Sequence, residues 1–368
     1  MRKDRVMSDS TEPNGKVREP IEEETAEALA REGLKPGVVE PWEDGSRTTS
    51  QPDAFEWWYF DAQFDDGSTA VIVYNTKPQT RPREPLTPSA TVIFRPPEGK
   101  SESVTSTCGP EEFTASTDGC DVRMGKSWIK GDLRHYQLHF DGEGLQVDLE
   151  MERKAPSWRP GSGVTYFDKK KTRYFAWLAA IPYGTVEGTI TRGGEKRKVT
   201  GSVYHDHNWG NMVVGKLIDH WYWGRAHVGE FSLIFVEMVS IKILGMGGLK
   251  GHVFYLARGD RILTGDGLPL ALVTGDFKEG PGGQSYPSKL DFHWHTDDGD
   301  VQMAIRNPKL IEVIDITKDA PSWKRPIIHL FANPLYYDFS ADIELTVDLK
   351  GVKAKEHGTA IFEKMMFR

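Results

Sequence analysis

The sequence predicts an all-β protein built as two antiparallel barrels packed together, and three features point there. Phe, Trp and Tyr make up 11% of the 368 residues. Gly and Pro contribute 37 and 22 more, a composition that suits short strands and tight turns rather than long helices. Short runs of strand-forming residues also recur on either side of Asp/Gly-rich turns. At roughly 150 residues per domain the chain is long enough for two cores.

The strand pairs can be read in order. Phe55 to Asp61 and Thr69 to Asn75 flank Asp65-Asp66-Gly67-Ser68, and Tyr136 to Phe140 and Leu145 to Met151 flank Asp141-Gly142-Glu143-Gly144. Glu187 to Thr191 and Lys198 to Tyr204 flank Arg192-Gly193-Gly194-Glu195. In the second half Trp221 to His227 turns into Phe231 to Met238, and Leu290 to His295 into Val301 to Ile305. Strands at Ala341 to Leu349 and Gly358 to Met365 close the chain. Connections this short make neighbours antiparallel, and each half has enough strands to close a barrel, which removes exposed edges. Residues 1–35 read as a polar arm with a short helix from Pro20 to Glu32, residues 36–213 as the first barrel and 214–368 as the second. Pro-rich connections at Thr76 to Pro88 and Lys318 to Pro334 are of the kind that borders a binding cleft.

Composition also narrows function. A net charge of -8 argues against a nucleic-acid partner. Two cysteines, Cys108 and Cys120, are no disulfide framework and read as reduced thiols. The polar start has no secretory core, which makes the cytoplasm the expected location. No stretch is apolar for a bilayer-spanning length. The run Ile243 to Leu249 is apolar and glycine-rich, a pocket lid, a peripheral membrane contact or a buried hairpin connection. There is no P-loop, dinucleotide fingerprint, nucleophile elbow or H-E-x-x-H.

Three clusters remain. In Tyr204-His205-Asp206-His207-Asn208-Trp209-Gly210, strand alternation puts His205, His207 and Trp209 on one face and Tyr204, Asp206 and Asn208 on the other. Two His at i and i+2 can face one ion, but no carboxylate follows at the right distance, so no metal is assigned; hydrogen-bonded structural histidines or a polar catalytic patch are the other readings. In Phe55-Glu56-Trp57-Trp58-Tyr59-Phe60-Asp61, Glu56 and Trp58 share a face as a structural pair or a ligand contact. The third cluster, Asp219 to Arg225 and Phe231 to Met238, aligns Trp221, Trp223 and Arg225 on one face, and Phe231, Leu233, Phe235 and Glu237 on one face of the next strand. There Glu237 is either a proton donor at the end of an apolar stripe or a carboxylate neutralised by Arg225.

Taken together, Glu56-Trp57-Trp58-Tyr59-Phe60 and Tyr204 to Gly210 resemble the hydroxyneurosporene synthase, or carotenoid 1,2-hydratase (AttH-like), family. Trp221-Tyr222-Trp223-Gly224 and the closing Gly358 to Glu363 strand agree. The resemblance implies lipocalin-like barrels with a cavity for a hydrophobic small molecule, and relatives that are cofactor-free hydratases or Diels-Alderase-like cyclases. It carries His207, Trp209 and Glu237 into a candidate site, with Phe235 where hydratases tend to have Tyr. The expected enzyme, a lyase or isomerase without cofactor, acts on a polyene, isoprenoid or polyketide-derived substrate by hydration or cyclisation. Glu237, or Asp206 in its place, donates the proton, His207 handles the water, and Trp209, Trp221 and Trp223 line a cation site; Trp58, Glu56, Tyr222 and Phe235 complete the expected substrate contacts. A non-catalytic lipid or isoprenoid carrier is the alternative.

Overall fold

The computed structural model describes residues 21–22, 25–48, 51–168, 170–213, 215, 217–241, 248–315 and 335–367. The apolar run at 243–249, the Pro-rich segment at 318–334 and most of the N-terminal arm therefore lie largely or wholly outside the described residues. The short helix spans Ala26–Arg31, later and shorter than the sequence suggests, because Thr25 caps it by accepting the Ala28 N–H at 3.1 Å. No helix among the described residues is long and apolar enough to cross a membrane.

The predicted hairpins form, and several strands run further than their sequence signals. The chain divides into two compact units, Met1–Val213 and Val214–Arg368. In the first, an antiparallel sheet runs in the order Glu102–Thr107, Ser89–Arg95, Thr69–Asn75, Phe55–Phe64, Glu195–Gly210, Tyr174–Arg192, Leu145–Arg153, His135–Gly142, Ser127–Gly131, Cys120–Met124 and Phe113–Ala115. The Arg192 to Glu195 turn is tight because Gly193 and Gly194 both take positive φ, at 57° and 89°. From it a long hairpin runs back to Tyr174 and forward to Gly210, so the whole histidine motif is strand.

This sheet curls. The Tyr74 hydroxyl, on Thr69–Asn75, donates to the carbonyls of His139 at 2.7 Å and Trp128 at 3.2 Å on the far wall. Phe60 meets Tyr136 edge-on at 6.3 Å across the same interior. Alternation along each strand sends Trp58, Phe60, Ile72, Val92, Leu138 and Val147 inward, all essentially inaccessible. Burying each such side chain is worth about 1.5–3 kcal/mol before ordering entropy is subtracted.

The second unit repeats the plan with nine strands: Arg261–Thr264, Lys250–Arg258, Phe231–Ser240, Ile218–Val228, Val352–Met366, Leu335–Leu349, Gly299–Asp315, Ser285–Thr296 and Leu270–Glu279. Phe235 lies 4.4 Å from Phe292, and Phe254 6.3 Å from Trp294, pairs from strands that are not neighbours in the sheet. This sheet therefore also wraps around an aromatic interior. Cys108 and Cys120 are free thiols.

Candidate active site

Strand Glu195–Gly210 lies between Phe55–Phe64 and Tyr174–Arg192, so His205 to Gly210 of its motif each have a paired neighbour on both sides. The inward face carries His205 and His207, each fully buried. His207 Nε2 is 2.8 Å from Glu56 Oε1, its ring stacks on Trp58 at 4.7 Å, and its Nδ1 is 3.4 Å from Asp44 Oδ1. His205 Nε2 is 3.2 Å from Asp44 Oδ2, its Nδ1 is 2.9 Å from the Tyr59 carbonyl, and its ring lies flat on Phe60.

The carboxylates that hold these rings are themselves held. Glu56 accepts from Ser46 Oγ at 2.9 Å, Thr48 Oγ1 at 2.6 Å and the Arg47 N–H at 2.7 Å. Asp44 accepts the Tyr136 hydroxyl at 2.6 Å, and its backbone carbonyl takes the Trp58 indole N–H at 3.1 Å. Burial pushes the Asp44 carboxyl up, but His205, His207 and Tyr136 together outweigh it and hold the group below its ordinary value. Sequence reading missed Asp44: it sits in the one-turn helix Pro41–Asp44, far along the chain from both histidines, and no local pattern marks it. Trp209 also faces this side, 4.9 Å from His207 and beneath the Arg47 guanidinium at 5.7 Å.

The opposite face of the strand is different in kind. Asp206 is paired directly with Tyr59 on one side and Ala179 on the other, and Trp158 bridges to Ala179 from beyond. Asn208 lies between Trp57 and Trp177. Directly paired residues share a sheet face, so Asp206 and Asn208 sit in a field of Trp57, Tyr59, Trp158 and Trp177. Trp57, Tyr59 and Trp177 are half-buried. Asp206 itself is 8% exposed. It accepts three hydrogen bonds, from the Trp177 indole N–H at 3.0 Å, the Tyr204 hydroxyl at 2.9 Å and the Asn208 amide at 2.6 Å. Burial raises its carboxyl to about 6, and these three donors and His205 only partly counter it. An acid so placed is protonated in weakly acidic solution and can give its proton to something lying on the aromatic face.

In the second unit Glu237 is 2% exposed. It is not Arg225 that neutralises it. Tyr222 is paired directly with Glu237, and Arg225, three positions on in the same strand, projects to the other face. The partners are Lys250 Nζ, at 3.1 Å from both oxygens, and His252 Nε2 at 2.8 Å. Burial pushes the Glu237 carboxyl up, but these two partners outweigh it and hold it below its ordinary value. Trp221 and Trp223 share the Arg225 face, and the Trp221 indole donates to Glu363 at 2.8 Å. Phe235 and Tyr222 lie on the Glu237 face, Phe235 fully enclosed in the core. The expected residues thus fall into an inward group (Glu56, Trp58, His207, Trp209), an Asp206 group on the reverse of the same strand, and the two faces of a second sheet.

Two described groups bring ligand-type atoms within 4.8 Å: Asp44, Cys120 and His205 in the core, and His293, His295 and Asp300 on a surface hairpin. In the first, hydrogen bonds from Tyr136 and His205 already occupy Asp44 Oδ2, and burial holds the Cys120 thiol well above its usual range; this is a hydrogen-bonded core cluster. In the second, both rings bond to Asp300 at the surface. An open trough of about 810 Å³ lies near the other end of the long strands. Its lining includes Lys130, Gln137, Glu150, Glu152 and Glu187, and it contains none of the candidate residues.

Fold and site together describe a lipocalin-like antiparallel β protein with acid–base groups set among aromatic rings. Comparison with known proteins shows what the chain is similar to. Residues 115–264 match the Diels-Alderase-like family. The quinolone epoxide rearrangement protein asqO of Emericella nidulans is 25% identical over 288 residues, 71% of this chain and 74% of that protein. The hydroxyneurosporene dehydrogenase of Chlorobaculum tepidum is 26% identical over 216 residues, 50% of this chain but only 56% of that protein. The crystal structure of an AttH-type protein from Nitrosomonas europaea superposes with a TM-score of 0.62 at 14% identity, covering 91% of this chain and 99% of that one. These matches bear out both the lipocalin-like all-β architecture and the resemblance carried by the two aromatic motifs.

Proposed function

We propose that the protein is an enzyme of the lyase or isomerase kind that acts on an apolar polyene, isoprenoid or polyketide-derived molecule, and that Asp206 supplies the proton that starts the reaction. The observation that carries this reading is the Asp206 carboxyl, raised to about 6 by burial, on a face lined by half-buried Trp57, Tyr59 and Trp177. Glu237, the other candidate, is held as a carboxylate by Lys250 and His252 and is the poorer donor near neutrality.

The chemistry follows from the groups present. Protonating a substituted alkene, or an epoxide oxygen, leaves positive charge on carbon, and the faces of Trp57, Tyr59 and Trp177 stabilise it by cation–π attraction. In a hydration, the C–H bond forms with the Asp206 proton, water adds its oxygen to the neighbouring carbon, and the proton that water then sheds returns to the Asp206 carboxylate. The Asn208 amide nitrogen is occupied by Asp206, while its oxygen, to which no described residue donates, orients that water. In an epoxide rearrangement or ring closure the same cation is captured within the molecule. The rearrangement named for the Emericella relative fits this acid-initiated route. His207, fully buried between Glu56 and Asp44, is a positioning residue: it fixes the strand that carries Asp206.

The test is a panel of apolar polyenes and terpenoid epoxides incubated with the protein in ¹⁸O-labelled water and analysed by mass spectrometry. The wild type converts at least one member, by label incorporation or by isomerisation, and Asp206→Asn does not. Binding without conversion by the wild type, or wild-type turnover by Asp206→Asn, overturns the reading.

A further inference from the structure

The hairpin of Ser285–Thr296 and Gly299–Asp315 carries a group of side chains that the chemistry above does not use. His295 is paired directly with Asp300, and His293 with Gln302, two positions further from the turn. Side chains alternate across a strand, so both imidazoles leave one face and Trp294, between them, goes to the other. Trp294 is 5% exposed and paired with the buried Val301, and its indole donates to the Asp266 carbonyl at 2.8 Å. The turn is fixed as well. Lys350 donates its backbone N–H to the Asp298 carbonyl at 2.9 Å, and Gly299 takes a φ of 132° where a Cβ would lie 2.0 Å from the Asp348 carbonyl oxygen. The two histidines therefore stand on backbone that is anchored from behind.

Both rings reach the same atom. His295 Nδ1 is 2.8 Å from Asp300 Oδ1, and His293 Nε2 is 2.9 Å from that same oxygen. The register explains why they use different nitrogens: a directly opposite residue is near enough for its inner ring nitrogen, whereas a diagonal one must reach with its outer nitrogen. Such separations are those of ligands at right angles around one ion, at metal–ligand bonds of about 2.0–2.1 Å. No described lysine or arginine pairs with Asp300; Asp348, paired with it on the other side, is the residue that takes Lys353, at 3.1 Å. The His293, His295 and Asp300 side chains are 53%, 66% and 42% exposed, so an ion reaches them from solvent without any opening of the fold.

The donor set selects the ion. Two imidazoles and one carboxylate suit zinc, nickel or copper, whereas magnesium and calcium take oxygen ligands. Neutral imidazole coordinates through the nitrogen that carries no proton. The protons now shared with Asp300 can sit instead on His293 Nδ1 and His295 Nε2, which have no hydrogen-bond partner among the described residues. We propose that His293 Nε2, His295 Nδ1 and Asp300 Oδ1 bind one divalent transition-metal ion of the zinc class, with water in its remaining positions. The site lies in the second unit and takes no part in the Asp206 chemistry, so either can fail alone.

The test uses the full chain without an affinity tag, stripped with EDTA, dialysed into metal-free buffer and titrated calorimetrically with ZnCl₂ and, separately, with MgCl₂. The wild type takes up one Zn²⁺ per chain saturably and no Mg²⁺. Losing a ligand costs more than the roughly tenfold that losing an outer-shell partner costs, so His293→Gln and His295→Gln each weaken Zn²⁺ binding by more than that. His135→Gln removes an exposed histidine that lies 3.8 Å from the Asp132 carboxylate and leaves Zn²⁺ binding unchanged. The proposal is overturned if the wild type shows no saturable Zn²⁺ uptake, if Mg²⁺ binds as tightly, if both ligand variants, folded by circular dichroism, bind Zn²⁺ like the wild type, or if His135→Gln weakens it as much as they do.

Discussion

Asp206 and His207 are neighbours in the chain and point to opposite faces of the same strand, one accepting the Trp177 indole from a half-buried aromatic surface and the other clamped by Glu56 inside the barrel. The inward clamp holds the strand in register, and the outward acid inherits that precision. This division of labour explains why the motif looks like a catalytic histidine cluster and yet has its two rings fully enclosed.

Removing Asp206, the proposed proton donor, should abolish chemistry and spare binding. For a substrate found with the panel above, Asp206→Asn is expected to lower kcat by about 10²- to 10⁴-fold, the usual worth of a general acid, with KM changed little. Steady-state kinetics on both proteins checks this. Wild-type kcat should also fall as pH rises through about 6, where Asp206 loses its proton.

The same carboxyl should leave a mark on stability. An acid with a folded-state pKa above its unfolded value binds its proton more tightly in the folded protein, so its favourable contribution is present at low pH and is lost as pH rises from about 4 to about 6. A shift of about two units corresponds to roughly 3 kcal/mol. Denaturant titrations at pH 4.5 and 7.5 should therefore show Asp206→Asn gaining on the wild type at the higher pH.

Trp177 tunes the acid, since its indole N–H favours the charged form of Asp206. Trp177→Phe keeps an aromatic face and deletes the donor. The alkaline limb of the kcat profile is expected to move to higher pH, a displacement that a purely structural tryptophan would not produce.

Asp44 should behave in the opposite sense to Asp206. Its carboxyl lies below the ordinary value, so the stability it supplies is present at neutral pH and is lost as pH falls below the usual carboxylate range. Asp44→Asn leaves His205, His207 and Tyr136 facing a neutral amide in a closed interior. A loss of about 3–5 kcal/mol at pH 7 is expected, together with a flatter acid limb in stability against pH.

Much of this was legible in the chain. The turn dipeptides gave the hairpins, because Gly193-Gly194 and its counterparts have few conformations open to them, and alternation correctly split His205, His207 and Trp209 from Tyr204, Asp206 and Asn208. What alternation cannot supply is the third dimension. Nothing near Pro41 to Asp44 shows that Asp44 reaches His205 and Tyr136, which lie 161 and 92 residues away. His293, His295 and Asp300 meet only because the register of their hairpin sets His295 opposite Asp300, so a turn read for its strands alone gave no sign of them. Glu237 was seen as an acid in apolar surroundings, but Lys250 and His252 lie on the next strand, one register step beyond what a single strand shows.

The most direct test of Asp206 as the acid is its own titration. Selective ¹³C labelling of aspartate carboxyls, with the Asp206 resonance assigned by its absence in Asp206→Asn, gives the pKa by NMR. The account predicts a midpoint near 6. A midpoint at or below 4 would contradict it, because the group would then be a carboxylate throughout the neutral range with no proton to give.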